Sequence, residues 1–377
     1  MQMETEILIV GGGLAGLTAA LHLQKNGFHV TLIEKNLYPN HKVCGEYISN
    51  EVLPYLNWLG LSFGDLGSSL ITKLQFTTQG GSSIISSLPL GGFGLSRYTL
   101  DNYLYQEALK RGVSVYFDTV RSVFYEDELF TIETISTKKF VARQVLGAFG
   151  KRSGLDKTLE REFMHGKSPY LAVKAHYEGD FPCNRVALHN FDGGYCGVSK
   201  VEDEKLNICY LANYASFKRF RNVETFQQQV LYKNKFLQSI FENSRMISAT
   251  PLTISQIRFG PKELVFNHMI MIGDTAALIH PLCGNGMAMA IHSAKISAEL
   301  ITRFLKNKQI SRATMEREYT KQWKNLFQRR LFAGKVLSAA FNNLLVQKIA
   351  IGSLAKMPGL LSRTIKMTHG NPIEILQ

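Results

Sequence analysis

One short run constrains this chain more than any other: Ile7-Leu8-Ile9-Val10-Gly11-Gly12-Gly13-Leu14-Ala15-Gly16. An apolar strand passes through a glycine turn straight into a helix start. The spacing Gly11-x-Gly13-x-x-Gly16 is that of a dinucleotide-binding turn. Gly11 permits the sharp exit from the strand. Gly13 has no Cβ, so the backbone can approach a pyrophosphate, and Gly16 lets the helix pack close on the sheet. The helix start offers free N–H groups and a positive dipole end to phosphate. Leu14, Leu17 and Leu21, with Ala15 and Ala19, predict a helix from Leu14 to Asn26 that Gly27 ends. Val30 to Ile33 reads as the second strand. It closes on Glu34, an acid roughly 20 positions past the glycines, where ribose hydroxyls are bound.

The rest of the chain sets the frame. Its 377 residues, 45% of them hydrophobic, suffice for a large core in one or two domains. No run of 18 uncharged apolar residues exists, so no transmembrane helix is expected. The N-terminus enters a strand without a signal-peptide pattern, and a cytoplasmic location is the expectation. The five cysteines, Cys44, Cys183, Cys196, Cys209 and Cys283, are odd in number and widely spread. They indicate neither a disulfide framework nor a zinc site, and no metal is expected. The net charge of +13 is compatible with an anionic partner, but no nucleic-acid module is present and no nucleic-acid partner is expected.

Along the chain, Pro39 to Ser49 reads as a loop and Ile71 to Leu95 as antiparallel strands. Thr99 to Arg111 reads as an amphipathic helix stopped by Gly112. Val113 to Phe117 is a strand, and two or three more follow up to Gly147. A run of strands spans about 168 to 215, and Val223 to Arg245 reads as helical. A second apolar strand ends in Gly273-Asp274. Then comes a helix from about Gly286 to Asn307, with more helices beyond. This order fits a parallel-sheet domain interrupted by an antiparallel one. The expected division is 1–70, 97–160 and 263–310 for the first domain, 71–96 and 161–262 for the second, and 311–377 for a C-terminal helical region.

Four separated motifs occur in an order that resembles the flavoprotein oxidoreductases built like para-hydroxybenzoate hydroxylase, and within them the geranylgeranyl reductase family. The resemblance covers most of residues 1–305. It implies an α/β (α+β overall) fold: a Rossmann-like FAD-binding domain, an inserted antiparallel β-sheet substrate domain, and C-terminal helices. Gly11, Gly13, Leu14, Ala15, Gly16, Glu34 and Lys35 would then bind the ADP half of FAD. Arg97, four residues before Asp101, would sit near the flavin phosphates or ribityl chain; an Arg just before a helix start suits an anion. The segment Gly273-Asp274 to Pro281-Leu282-Cys283-Gly284-Asn285-Gly286-Met287 would supply an Asp to the ribityl hydroxyls and a helix N-terminus to the flavin ring. The loop Cys44-Gly45-Glu46 would lie over the flavin, with Cys44 touching substrate and Glu46 assisting proton delivery. Among His189, His280 and His292, His280 stands closest to the presumed flavin and is the candidate proton donor.

Two departures from the family pattern bear on chemistry. Phe149 stands where hydroxylase relatives carry an Asp that helps handle FAD and nicotinamide. NAD(P)H therefore stays open as electron donor, with Lys151 and Arg152 available to a phosphate. Gly194 to Ser199 lacks the aromatic-rich stretch of prenyl reductases. The expected activity is reduction of C=C bonds in an isoprenoid or other lipid. The alternatives are monooxygenation of an aromatic or polyketide-like ring, and a flavin-bound protein without turnover. Lys321 to Lys366 holds no Asp or Glu. Its apolar residues Leu331, Phe332, Val336, Leu337, Ala340, Phe341, Leu344 and Leu345 lie at helical spacing beside Lys335, Lys348, Lys356, Arg363 and Lys366. A basic amphipathic helix of this kind predicts peripheral contact with a membrane surface.

Overall fold

The computed structural model describes residues 2–375 except 167, 221, 307–309 and 342–364, and the side chains of 340 and 341 are not described either. Leu344, Leu345, Lys348, Lys356 and Arg363 therefore lie outside the described residues.

The opening strand, Gln2–Val10, becomes the middle of a sheet whose central strands are all parallel. Val30–Glu34 pairs along one side and Lys139–Gly147 along the other. Ser114–Phe117 extends the first side and Met269–Met271 the second. Ile7, Leu8 and Ile9 are fully buried, as strands covered on both faces require. The fingerprint helix, Leu14–Lys25, packs on the long helix Gly286–Leu305. A hairpin of Val120–Glu126 and Leu129–Thr134 adds an antiparallel edge to Lys139–Gly147.

The second sheet runs Ser244–Met246, Tyr170–Gly179, Leu206–Asn213, Gly194–Lys200, Arg185–Phe191, Ser69–Thr77, Ser83–Gly94, Tyr47–Ser49, with Leu252–Ile257 also pairing on Tyr170–Gly179. Its pairs are antiparallel except Arg185–Phe191 with Ser69–Thr77, which are parallel because they come from distant parts of the chain. One face packs on short helices through Phe191, Tyr210, Phe226, Leu231 and Leu237. The other face looks toward the first sheet. Helix Arg312–Phe341 buries Met315, Tyr319, Trp323 and Phe327 in the main core.

Three expectations change in detail. Tyr47–Ser49 is not loop but the edge strand of the second sheet; three residues are too few to display alternation. Val223 to Arg245 is not one helix. It breaks into Val223–Gln229, Leu231–Lys233 and Lys235–Glu242, then the strand Ser244–Met246. Asn234 explains the second break: its Oδ1 accepts the Phe236 N–H and caps the last helix, while its Nδ2 donates to Thr77 Oγ1 and the Asn190 carbonyl. Helix Arg97–Lys110 starts two residues before Thr99, because Ser96 accepts the Thr99 N–H as N-cap.

The glycine turn is held by contact as well as by conformation. Gly11 has φ +107°, and a Cβ there would lie 2.4 Å from the Ala148 carbonyl oxygen. A Cβ on Gly16 would lie 2.0 Å from the Gly11 carbonyl oxygen. We expect Gly16→Ala to destabilise the protein by about 1–3 kcal/mol, since backbone must move to admit the methyl. Urea unfolding of the two proteins checks this.

Candidate functional site

A cleft of about 940 Å³ runs between the two sheets. Gly11, Gly13, Leu14, Ala15, Glu34 and Lys35 line one end, Arg97 and Cys44 to Tyr47 its middle, and Gly273, Asp274 and Pro281 to Met287 the facing wall. These segments lie hundreds of residues apart in the chain and meet only here. Gly16 is not on the lining among the described residues; its part is the close packing against Gly11.

At the fingerprint end, Glu34 sits just past the strand it closes. Its Oε2 accepts the Gly12 N–H at 2.6 Å and its Oε1 the Asn36 N–H at 3.0 Å. Tyr38 donates its hydroxyl to the Gly12 carbonyl. Asp118, Thr119, Val120, Arg121 and Ile135 line the cleft with Glu34. The sequence reading did not find this group, since one strand end and one hairpin carry no motif; only the spacing of Val113–Phe117 from the fingerprint could have drawn attention there.

The strongest electrostatic feature is Asp101. It is 1% exposed and takes Arg97 Nε and Nη2 and Lys42 Nζ, all at 2.8 Å. Burial opposes its ionisation, but Arg97 and Lys42 outweigh that and hold its carboxyl below the ordinary value. Two cations on one anion leave a net positive charge. Arg97 Nη2 and Lys42 Nζ each lie 3.8 Å from the place a Cβ on Gly13 would take. The pair therefore faces a backbone position on the cleft lining that has room for an anion. The fingerprint helix begins at Gly13 with no side-chain cap, leaving its N–H groups free toward the same place.

On the facing wall Gly273 has φ +59°, and its N–H donates to Ser293 Oγ. No described residue hydrogen-bonds the Asp274 carboxylate, which lines the cleft. Helix Gly286–Leu305 starts after Asn285, again without a side-chain cap. The Asn285 side chain is turned away: Nδ2 donates to Glu51 Oε2 at 3.1 Å and Oδ1 accepts from Arg330 Nη1 at 2.8 Å. Arg330 also donates to Glu51 Oε1, while the Gly370 N–H donates to Glu51 Oε2 and the Ile373 N–H to the Glu51 carbonyl. This knot fixes the helix start and draws the segment 365–373 alongside the cleft, where Ile365, Thr368 and His369 line it.

The three expected catalytic residues fare differently. Cys44 is half-buried on the lining, and its Sγ accepts the Glu46 N–H at 3.5 Å. Glu46 is fully buried. Burial works against its ionisation, but the hydrogen bond from His176 and the charge of Lys174 prevail and hold its carboxyl below the ordinary value. A carboxylate so held is a poor proton donor near neutral pH. His280 is absent from the lining among the described residues. It packs among the rings of Tyr170, Tyr195 and Phe259, its Nδ1 accepts the Leu282 N–H, and burial pushes it down to about 4. Glu46 thus stands on the lining as a paired carboxylate, and His280 stands off it with its Nδ1 capping a turn. His189, bonded to Thr77 at 2.8 Å, also lies off the lining.

FAD fits the residues present. The uncompensated charge at Gly13, two uncapped helix starts and the unpartnered Asp274 match a pyrophosphate, a flavin ring and ribityl hydroxyls. No group of three or more His, Cys, Asp or Glu residues suited to a metal ion occurs among the described residues.

Comparison with known proteins gives the same direction. The family described as FAD binding domain matches residues 4–322. A digeranylgeranylglycerophospholipid reductase of Methanosarcina acetivorans is 24% identical over 85% of this chain and 80% of its own length. The conditioned medium factor receptor 1 of Dictyostelium discoideum is 21% identical over 83% of this chain, which spans 66% of that protein's length. Among solved structures, the flavin-dependent brominase Bmp2 superposes with a TM-score of 0.79 at 16% identity, covering 97% of this chain and 93% of its own.

Asp101→Asn would leave two cations without their anion, and we expect a loss of about 3–5 kcal/mol at neutral pH. The sign of its pH dependence follows from the depressed carboxyl. The stabilisation is complete above the unfolded value of about 3.9 and is lost as pH falls through the lower folded value. The gap between wild type and Asp101→Asn in urea unfolding should therefore shrink only below about pH 4.

Proposed function

Because the chain belongs to the FAD binding domain family, we propose a FAD-dependent oxidoreductase acting on a hydrophobic substrate, with reduction of C=C bonds in an isoprenoid or similar lipid as its reaction. The observation that carries this reading is the lining of the cleft beyond Cys44. There the second sheet contributes Leu74, Val186, Leu188, Val198, Leu211 and Ile254. Apolar side chains standing on alternate positions of adjacent strands make a wall suited to an extended hydrocarbon.

The flavin supplies the two-electron chemistry. The chain's residues bind, orient and exclude water. Arg97 and Lys42 would hold the pyrophosphate, Glu34 the ribose, and Asp274 the ribityl hydroxyls. The start of helix Gly286–Leu305 on the cleft lining would offer its N–H groups and dipole to the ring, favouring negative charge there. The apolar wall would order the substrate beside the cofactor and keep water from it. Cys44 stands on the lining between cofactor end and substrate wall, and Cys44→Ser should lower turnover while leaving FAD bound. Lys151 and Arg152, beside Phe149 on the lining, offer charge to the phosphate of NAD(P)H as electron donor.

Monooxygenation of an aromatic or polyketide-like ring is the second reading. It is favoured by the wall at Tyr195 and Val198, where the aromatic stretch of prenyl reductases is missing. Anaerobic turnover separates the two. The reduced holoprotein, given a geranylgeranyl lipid without oxygen, should add two hydrogens per double bond. A product formed only in oxygen, one oxygen heavier, replaces the first reading by the second. Glu34→Gln should weaken FAD binding by about ten- to hundred-fold, measured by fluorescence titration.

No helix among the described residues is long and apolar enough to cross a membrane. A peripheral contact is proposed for helix Arg312–Phe341, where Phe332 and Val336 are 67% and 50% exposed beside Arg329 and Lys335. Co-sedimentation with anionic vesicles at low salt should be lost in a Phe332→Ser, Val336→Ser double variant.

A further inference from the structure

Two ionisable side chains buried outside the cleft lining, Lys174 and His176, are 1% and 5% exposed. Both stand on strand Tyr170–Gly179 of the substrate sheet. Neither lines the cleft among the described residues, and neither belongs to a motif in the sequence. A lysine and a carboxylate leave water at a large cost unless they are paired. Here both side chains converge on Glu46: Lys174 Nζ donates to Oε1 at 2.8 Å, and His176 Nε2 lies 2.7 Å from Oε2.

Glu46 is an unusual point to hold. It has φ +55°, a left-handed conformation that a non-glycine residue keeps only where the surroundings determine it. Its Oε1 also accepts the Arg97 N–H at 2.8 Å, its carbonyl accepts the Leu95 N–H, and its own N–H goes to Cys44 Sγ. Asn207, on another strand of the same sheet, donates to the Cys44 carbonyl at 3.3 Å. One carboxylate thus joins the cleft-facing turn, the first residue of the helix that carries Arg97, and the substrate sheet.

We propose that Lys174 and His176 are positioning residues: through Glu46 they hold the Cys44–Glu46 turn and the Arg97 helix start in register with the substrate sheet. Neither touches substrate or cofactor. The inference rests on the reading of the cleft given above, in that it assigns the pair to the placing of Cys44 and Arg97 for that reaction.

The cysteines report this directly. Cys44 is half-buried, Cys183 exposed and Cys196 fully buried. In the full chain without added flavin, iodoacetamide labelling followed by peptide mass spectrometry reads all three. Loosening the turn in Lys174→Met or His176→Phe should speed Cys44 labelling by about tenfold, with Cys183 unchanged and Cys196 protected. His176→Gln keeps an N–H donor within reach of Glu46 and should return Cys44 to the wild-type rate. The same variants should bind FAD more weakly, again with recovery in His176→Gln. An unchanged Cys44 rate in Lys174→Met and His176→Phe, with Cys196 protected, overturns the proposal. If Cys196 becomes reactive in these variants, His176→Gln decides: a wild-type Cys44 rate supports positioning, and a rate as high as in His176→Phe overturns it. Labelling requires no flavin, so failure of the wild-type chain to take up FAD would remove the functional reading and leave this test standing.

Discussion

Two cations share one buried anion at the centre of this molecule, and much of the site follows from that imbalance. Asp101 satisfies Arg97 at two oxygens and Lys42 at one, yet one positive charge remains. It is directed at Gly13, where the missing side chain and the uncapped helix start leave space and N–H groups. An apolar interior tolerates such an arrangement poorly unless an anion completes it. The same helix that carries Arg97 and Asp101 donates its first N–H to the Glu46 carboxylate. The charge centre and the loop over the cleft are thereby mechanically continuous.

How much of this was legible in the sequence depends on range. The fingerprint was legible because strand, glycine turn and helix follow one another without interruption and Glu34 stands at the end of the next strand, although Gly11 meets Ala148 and Gly13 faces Arg97 and Lys42 from elsewhere in the chain. The Gly273–Asp274 and Gly284–Met287 segments could be recognised because strand, turn and helix again follow one another without interruption. Arg97 and Asp101 lie one helical turn apart, so their pairing was visible, but that Lys42 joins them was not. That contact closes a loop between residues with no periodic relation.

Glu46 and His280 show the complementary case. Both are residue types that move protons, and both lie beside glycine-rich turns, so position along the chain suggested chemistry. Their states are decided by neighbours that only the tertiary fold supplies. Lys174 and His176 arrive from a strand about 130 residues later and hold Glu46 charged; three aromatic rings from separate segments exclude water from His280. In Val223 to Arg245 the apolar spacing fits a helix throughout. The competing hydrogen bonds of Asn234 to Thr77 and Asn190 break it, and no local pattern announces them.

The knot at Glu51 has a consequence for the order in which the molecule is assembled. Glu51 is made early, Asn285 late, and Arg330 and Gly370 later still, yet the start of the helix facing the ring is held by all four. A chain growing from its N-terminus completes the phosphate end of the cleft long before the wall formed by 365–373 can close beside it. Most residues of the phosphate end thus precede residue 160 in the chain, and the segment 365–373 joins walls that all precede it.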